Sequence, residues 1–83
     1  MNKAKNAFVK WLKDNNADNI DGLNDQPSCN EWDYYVMVSG FVNDCLYTAC
    51  FMVWQGAEKI DYSDDSNRYS NLSIDDFMQL IRN

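Results

Sequence analysis

Two periodicities divide the chain into helical and extended stretches. Residues 3–15 and 74–82 carry apolar side chains every three or four positions, which is the spacing of one helix face. The apolar positions of these predicted helices are Ala4, Ala7, Phe8, Trp11 and Leu12 in the first and Ile74, Phe77, Met78 and Ile81 in the second. Asn15 and Asn16 are predicted to end the first helix, because asparagine tolerates the backbone found at helix ends.

The middle of the chain has the composition of β-strands. Residues 31–42, 45–54 and 57–62 are rich in tryptophan, tyrosine and valine. Asn43-Asp44 and Gln55-Gly56 separate these stretches as two-residue turns, since asparagine, aspartate and glycine accept the positive φ that tight turns need. The sequence therefore predicts three consecutive antiparallel strands.

Polar, turn-rich sequence fills the two remaining stretches. Residues 17–30 are predicted to form a long loop and residues 63–71 a linker. The element order is then α-β-β-β-α. We predict an α+β fold: one two-layer domain over residues 1–83, with a three-stranded antiparallel sheet and two flanking helices.

The second helix has a clear start signal. Ser73 is a good N-cap, and Asp76 stands where a capping box usually has Glu or Gln. Leu72 before the cap and Phe77 four residues after it fit a hydrophobic staple. Acidic residues in the first turn and Arg82 in the last also suit the helix dipole.

The two turns fix which residues face each other across the strands. The predicted pairs are Tyr34 with Val53, Val36 with Phe51, Val38 with Ala49, Phe51 with Ile60, and Ala49 with Tyr62. All of these side chains lie on one face, which is almost wholly apolar. We expect both helices to pack on it side by side.

The other face of the predicted sheet is unusually apolar for an antiparallel sheet, which commonly has one solvated side. It carries Tyr35, Met37, Phe41, Leu46, Cys50, Met52 and Trp54, together with Asp33, Ser39, Thr48, Lys59 and Asp61. Either the loop of residues 17–30 or one of the helices covers it, or it is a surface for a partner or a homodimer. The sequence leaves both interpretations open.

Charge is distributed unevenly along the 83 residues. The net charge is −6 and the isoelectric point about 4.2. Residues 1–13 contain four lysines and no acid, whereas residues 14–58 contain eight acids and no basic residue. Such a chain is repelled by nucleic acid, which proteins bind through lysine and arginine. It is attracted to a basic protein surface.

The residues for catalysis or metal binding are largely missing. The chain has no histidine to activate a nucleophile, and its three glycines are scattered. Aspartates surround Gly22, but when Gly22 takes the sixth position of a calcium loop, the first and twelfth positions are Ala17 and Ser28. We predict neither an enzyme nor a cofactor or metal site.

No run approaches the roughly 18 apolar residues of a membrane span, and the basic N-terminal stretch does not resemble a secretory signal. Three cysteines without CxxC spacing are typical of reduced thiols. We therefore expect a cytoplasmic protein, which for a phage-encoded chain means the host cytoplasm.

In its small size, its acidity, its wealth of asparagine and its helix-plus-antiparallel-sheet order, the chain resembles phage-encoded inhibitors such as anti-CRISPR proteins and other nucleic-acid mimics. The resemblance implies a non-enzymatic inhibitor that binds a basic, nucleic-acid-handling protein, such as a defence nuclease, with carboxylates in place of phosphates. The candidate partner-binding residues are the acids Asp18, Asp21, Asp25, Glu31, Asp33, Asp61, Asp64 and Asp65 and the apolar anchors Tyr35, Met37, Phe41 and Trp54. The alternatives are an immunity protein or antitoxin that masks a basic toxin, and a homo-oligomeric adaptor that uses the second sheet face.

Overall fold

The computed structural model describes residues 1–22 and 33–82. Within them the order of elements is α1 (Asn2–Asp14), β1 (Asp18–Asp21), β2 (Tyr34–Val42), β3 (Cys45–Trp54), β4 (Ala57–Ser63), β5 (Arg68–Leu72) and α2 (Ile74–Arg82). The strands form one antiparallel sheet in which neighbours in space are neighbours in sequence. The predicted α+β class is confirmed, but the prediction of three strands is wrong, since these residues contain five.

Two tight hairpins set the register of the central strands. Asn43 and Asp44 have φ of 52° and 65°, and Gln55 and Gly56 have φ of 51° and 79°. Positive φ at both central residues is the pattern of a type I′ turn, whose twist matches that of the strands. All five pairs predicted from the turns are present, including Phe51 between Val36 and Ile60.

The two strands that the sequence did not predict lie at the edges of the sheet. β1 falls within the predicted loop of residues 17–30, and all of β5 except its last residue, Leu72, falls within the predicted linker of residues 63–71. Both strands are short and polar, and the register of each shifts along its length, with Asn19 at φ 54° and Asn71 at φ 58° nearby. These irregularities interrupt the alternation by which strands are recognised in a sequence.

Gly22 ends the β1 segment in close contact with β2. Its φ is +81°, and a Cβ at this position would lie 1.6 Å from the carbonyl oxygen of Met37. Only glycine therefore fits here. The first described residue after the gap, Asp33, donates its N–H to Val53 O at 2.9 Å, so the predicted strand of residues 31–42 forms from Tyr34 onward, and residues 31–32 lie outside the described part.

Both helices pack on the same face of the sheet, α1 over β2 and β3 and α2 over β4 and β5. Phe8 of α1 and Phe77 of α2 are fully buried, with ring centroids 5.8 Å apart. Phe51 of β3 meets Phe77 edge to face at 5.4 Å. The expectation that both helices share one face is confirmed, and the alternative with one helix on each side is wrong. We call this side the covered face.

The ends of the helices follow the sequence signals. Asn15 is the C-cap of α1, and the N–H groups of Asn16 and Ala17 donate to carbonyls of the last turn at 3.0 and 2.9 Å. At the start of α2, Ser73 Oγ accepts a hydrogen bond from the Asp76 N–H at 3.1 Å. The predicted N-cap is confirmed.

Candidate protein-binding face

The sheet side opposite the helices is built from alternate residues of the same strands. Because successive side chains of a strand point to opposite sides, the residues between the core positions of β2, β3 and β4 all point away from the helices. They are Tyr35, Met37, Ser39 and Phe41 of β2, Leu46, Thr48, Cys50, Met52 and Trp54 of β3, and Ala57, Lys59, Asp61 and Ser63 of β4. We call this side the open face.

An apolar stripe runs along β2 and β3 in the middle of the open face. The register pairs Phe41 with Leu46 near one end, and Trp54 lies at the other end. The side chains of Met37, Phe41, Leu46 and Trp54 are 51, 39, 43 and 41% exposed. The four predicted apolar anchors, Tyr35, Met37, Phe41 and Trp54, thus share one side of the sheet, and Leu46, which the candidate set omitted, lies among them.

Carboxylates border this stripe on two sides. Asp18 and Asp21 of β1 lie opposite Phe41 and Ser39 of β2. Asp61 of β4 lies opposite Cys50 on the other side. The structure therefore brings these three predicted acids to the open face.

Other charged groups lie around these three acids. Asp33 directly precedes β2, at the end of the stripe near Trp54. Basic residues lie on the far side of the stripe, with Lys59 opposite Met52 and Arg68 of β5 opposite Ser63. The excess of negative charge beside the stripe is consequently greatest along β1.

Asp64 has a structural role that the sequence analysis did not assign to it. Its carboxylate accepts hydrogen bonds from the N–H groups of Ser66 and Asn67 at 2.9 and 2.8 Å and from the Tyr62 hydroxyl at 2.9 Å. Desolvation by itself would raise the pKa of Asp64, but these three hydrogen bonds favour the carboxylate and lower the pKa overall. Asp64 therefore holds the connection between β4 and β5.

Asp65 and Asp61 are separated from each other by this turn. Asp65 accepts a hydrogen bond from Cys45 at the end of the sheet, where Asp44 also lies. Asp61 accepts a hydrogen bond from the Asn71 N–H at 2.9 Å. The predicted trio of Asp61, Asp64 and Asp65 is thus divided between the open face, a turn and the sheet end, while Asp25 and Glu31 lie outside the described residues.

The two layers differ in charge. The two helices carry five basic and three acidic side chains, whereas the strands and the described connections carry eight acidic and two basic ones. Folding therefore converts the uneven charge along the sequence into a positive helix layer and a negative sheet layer. The apolar stripe lies on the outer side of this negative layer.

The described thiols are poor nucleophiles. The hydrogen bond to Asp65, together with burial and the charges of neighbouring aspartates, raises the pKa of the Cys45 thiol. Burial and the charge of Asp61 raise the pKa of the Cys50 thiol, against a hydrogen bond with Tyr35 that lowers it. Because the thiolate is the reactive form, neither group is activated at neutral pH.

Across residues 1–22 and 33–82, no three Cys, Asp or Glu side chains gather closely enough to hold a metal ion. None of the helices in this part of the chain has the length and apolar character needed to cross a membrane.

Comparison with known protein families, curated proteins and solved structures finds no match to this chain. The function is therefore argued from the surface of the molecule itself.

Proposed function

We propose that this chain is a non-enzymatic inhibitor that binds a basic, nucleic-acid-handling protein through its open face. The observation that carries the proposal is the exposed apolar stripe along β2 and β3, bordered by the carboxylates of Asp18, Asp21 and Asp61. A defence nuclease is the type of partner that the resemblance to phage-encoded inhibitors suggests.

The apolar stripe supplies the short-range part of the proposed interaction. Four of the five large apolar side chains that are exposed in the described chain lie on the open face. A concentration of apolar groups on one side of a small domain marks an interaction surface, whereas scattered ones do not. Aromatic residues and methionine are also enriched at protein interfaces, and Trp54, Phe41 and Met37 fit that composition.

The acidic residues that border the stripe supply the long-range, electrostatic part of the proposed interaction. The negative sheet layer repels the phosphates of nucleic acid and attracts the surface with which another protein binds them. Carboxylates that occupy phosphate positions would exclude the nucleic acid from that surface. Complementary charge of this kind mainly raises the association rate and the specificity of binding.

The same charges oppose a homodimer through the open face. A face-to-face dimer would bring together two sheet layers that each carry eight acidic and only two basic side chains among their described residues. Like charges across an interface are unfavourable, so a basic partner fits the face better than a second copy does.

A matched pair of triple variants tests this proposal. In the open-face variant, Asp18→Asn, Asp21→Asn and Asp61→Asn remove three charges, and each asparagine retains an oxygen that can accept the hydrogen bonds seen at Asp21 and Asp61. In the control variant, Asp14→Asn, Asp75→Asn and Asp76→Asn remove the three acids of the helix layer. The two variants have the same net charge. Because the control also loses the Lys10–Asp14 ion pair and the acidic first turn of α2, circular dichroism checks that both variants are folded.

Immobilised wild-type chain and both variants are exposed to bacterial lysate, and the retained protein is purified. We expect the wild-type chain to retain a nucleic-acid-binding protein, and competing duplex DNA or RNA to release it. The affinity for this protein should be at least about tenfold weaker in the open-face variant and unchanged in the control variant. A retained protein that does not bind nucleic acid would favour the antitoxin alternative. Equal retention by both variants, or a wild-type dimer in light scattering, would contradict the proposal.

A further inference from the structure

We propose that the open face receives an amphipathic helix of the partner, lying along β2 and β3 with lysine or arginine beside its apolar side. This inference rests on the proposed function, because it specifies which part of a basic partner occupies the face. The juxtaposition that carries it is an apolar stripe, two strands wide and interrupted by the Ser39–Thr48 pair, with carboxylates along its borders.

The dimensions of the stripe match those of a helix. β2 has nine residues and β3 has ten, which corresponds to a length of about 30 Å. Two strands together are about 10 Å wide, close to the diameter of an α-helix with its side chains. A helix of about 20 residues would therefore span the stripe from the Phe41 end to Trp54.

The covered face provides an internal precedent for this packing. α1 lies over the same two strands on the other side of the sheet. It buries Ala4, Phe8 and Leu12. Its remaining sides carry Lys3, Lys5, Lys10 and Lys13. β2 and β3 thus already pair on one side with a lysine-rich amphipathic helix.

The borders of the stripe determine where the partner's cations are needed. Asp18 and Asp21 follow one border, and basic residues are absent from β1. Asp61 follows the other border, where Lys59 offsets part of the charge. The bound helix should therefore carry more lysine or arginine on the β1 side than on the β4 side.

A synthetic peptide tests the geometry without the natural partner. The probe is a 20-residue peptide of leucine and lysine in which leucine recurs with the helical period. Its control is an isomer of the same composition in which the two residues alternate, so that charge and hydrophobicity are equal but the apolar face has the period of a strand instead of a helix. Binding is measured by calorimetry, and helix formation by far-ultraviolet circular dichroism.

We expect one helical peptide to bind per chain and to gain helicity, with the alternating isomer at least about tenfold weaker. The double variant Met37→Ser, Phe41→Ser should weaken binding of the helical peptide by about tenfold or more. The matched control is Tyr69→Ser, since Tyr69 is also exposed, at 36%, but stacks on Tyr62 of the covered face. Equal binding of the two peptides, or an equal effect of the two variants, would overturn the inference.

A second measurement does not depend on folding of the double variant. It maps the changes in amide chemical shift of the wild-type chain when the helical peptide is added. Shifts confined to β1, β2, β3 and β4 support the inference, and shifts centred on α1 and α2 overturn it. If the chain retains a nucleic-acid-binding protein through its open face but not the helical peptide, only the helix inference fails. If it binds the peptide but retains no such protein, the proposed function fails.

Discussion

The covered and open faces belong to the same strands, yet their apolar side chains have different environments. Val36, Val38 and Phe51 are completely buried under the helices, whereas Met37, between the two valines, is 51% exposed. The covered set is explained by the core. On the open face Met52 is also buried, at 8% exposure, but Met37, Phe41, Leu46 and Trp54 remain well exposed and are better explained by a binding role.

The largest expected effect compares one phenylalanine from each face. Phe51→Ala should lower the free energy of unfolding by about 3–5 kcal/mol, because it leaves a cavity among Phe8, Phe77 and their neighbours. Phe41→Ala should lower it by less, about 1–2 kcal/mol, since Phe41 is 39% exposed and its removal leaves no closed cavity. Urea denaturation monitored by circular dichroism measures both changes. Similar losses in the two variants would mean that the open face is also core.

A smaller effect is expected from removing the N-cap of α2, one of the two helices that pack on the covered face. Ser73→Ala removes the side-chain acceptor of the Asp76 N–H and should lower the free energy of unfolding by about 1 kcal/mol. Since α2 packs on the covered face, binding of the helical peptide to the open face should not change. A stability change within about 0.2 kcal/mol in urea denaturation would show that the cap contributes little.

The smallest effect concerns Asp64, which serves the turn and neither face. Its folded pKa lies below the ordinary value of 3.8, so the stabilisation by its carboxylate is present above that pH and is lost as the pH falls through the folded pKa. Asp64→Asn should therefore be less stable than the wild type at pH 7 by less than about 1 kcal/mol, given the exposure of the turn. The difference should disappear at lower pH.

Urea denaturation at several pH values from 7 to below 3.8 measures this difference. The peptide affinity at pH 7 should be unchanged in the Asp64→Asn variant. A loss of peptide binding would instead assign Asp64 to the open face.

The central part of the fold could be predicted because short-range chemistry determines it. Two-residue turns at Asn43-Asp44 and Gln55-Gly56 fix the register, and alternation then assigns every residue of three strands to a face. β1 and β5 could not be predicted in this way. They are held by pairing with strands already formed, and their own side chains give no alternating apolar signal.

The candidate site was predictable to a similar extent. Its apolar anchors were predicted from the alternation of side chains between the two faces of a strand. The same alternation places Leu46, which lies opposite Phe41, on the open face. Asp64 was grouped with the other acids because net charge does not distinguish a ligand from a turn residue. The polar sequence that follows it, with Ser66 and Asn67, was the available signal, since aspartate commonly accepts hydrogen bonds from the backbone two residues onward.

The irregular edge strands affect how the molecule behaves at high concentration. A regular edge strand offers unpaired N–H and C=O groups on which another chain can add a strand, and this is a common route to aggregation. Here β1 has four residues and β5 has five, and both have a shifted register. We therefore expect the edges to be poor templates for strand addition, so that the chain stays dispersed despite its exposed apolar stripe.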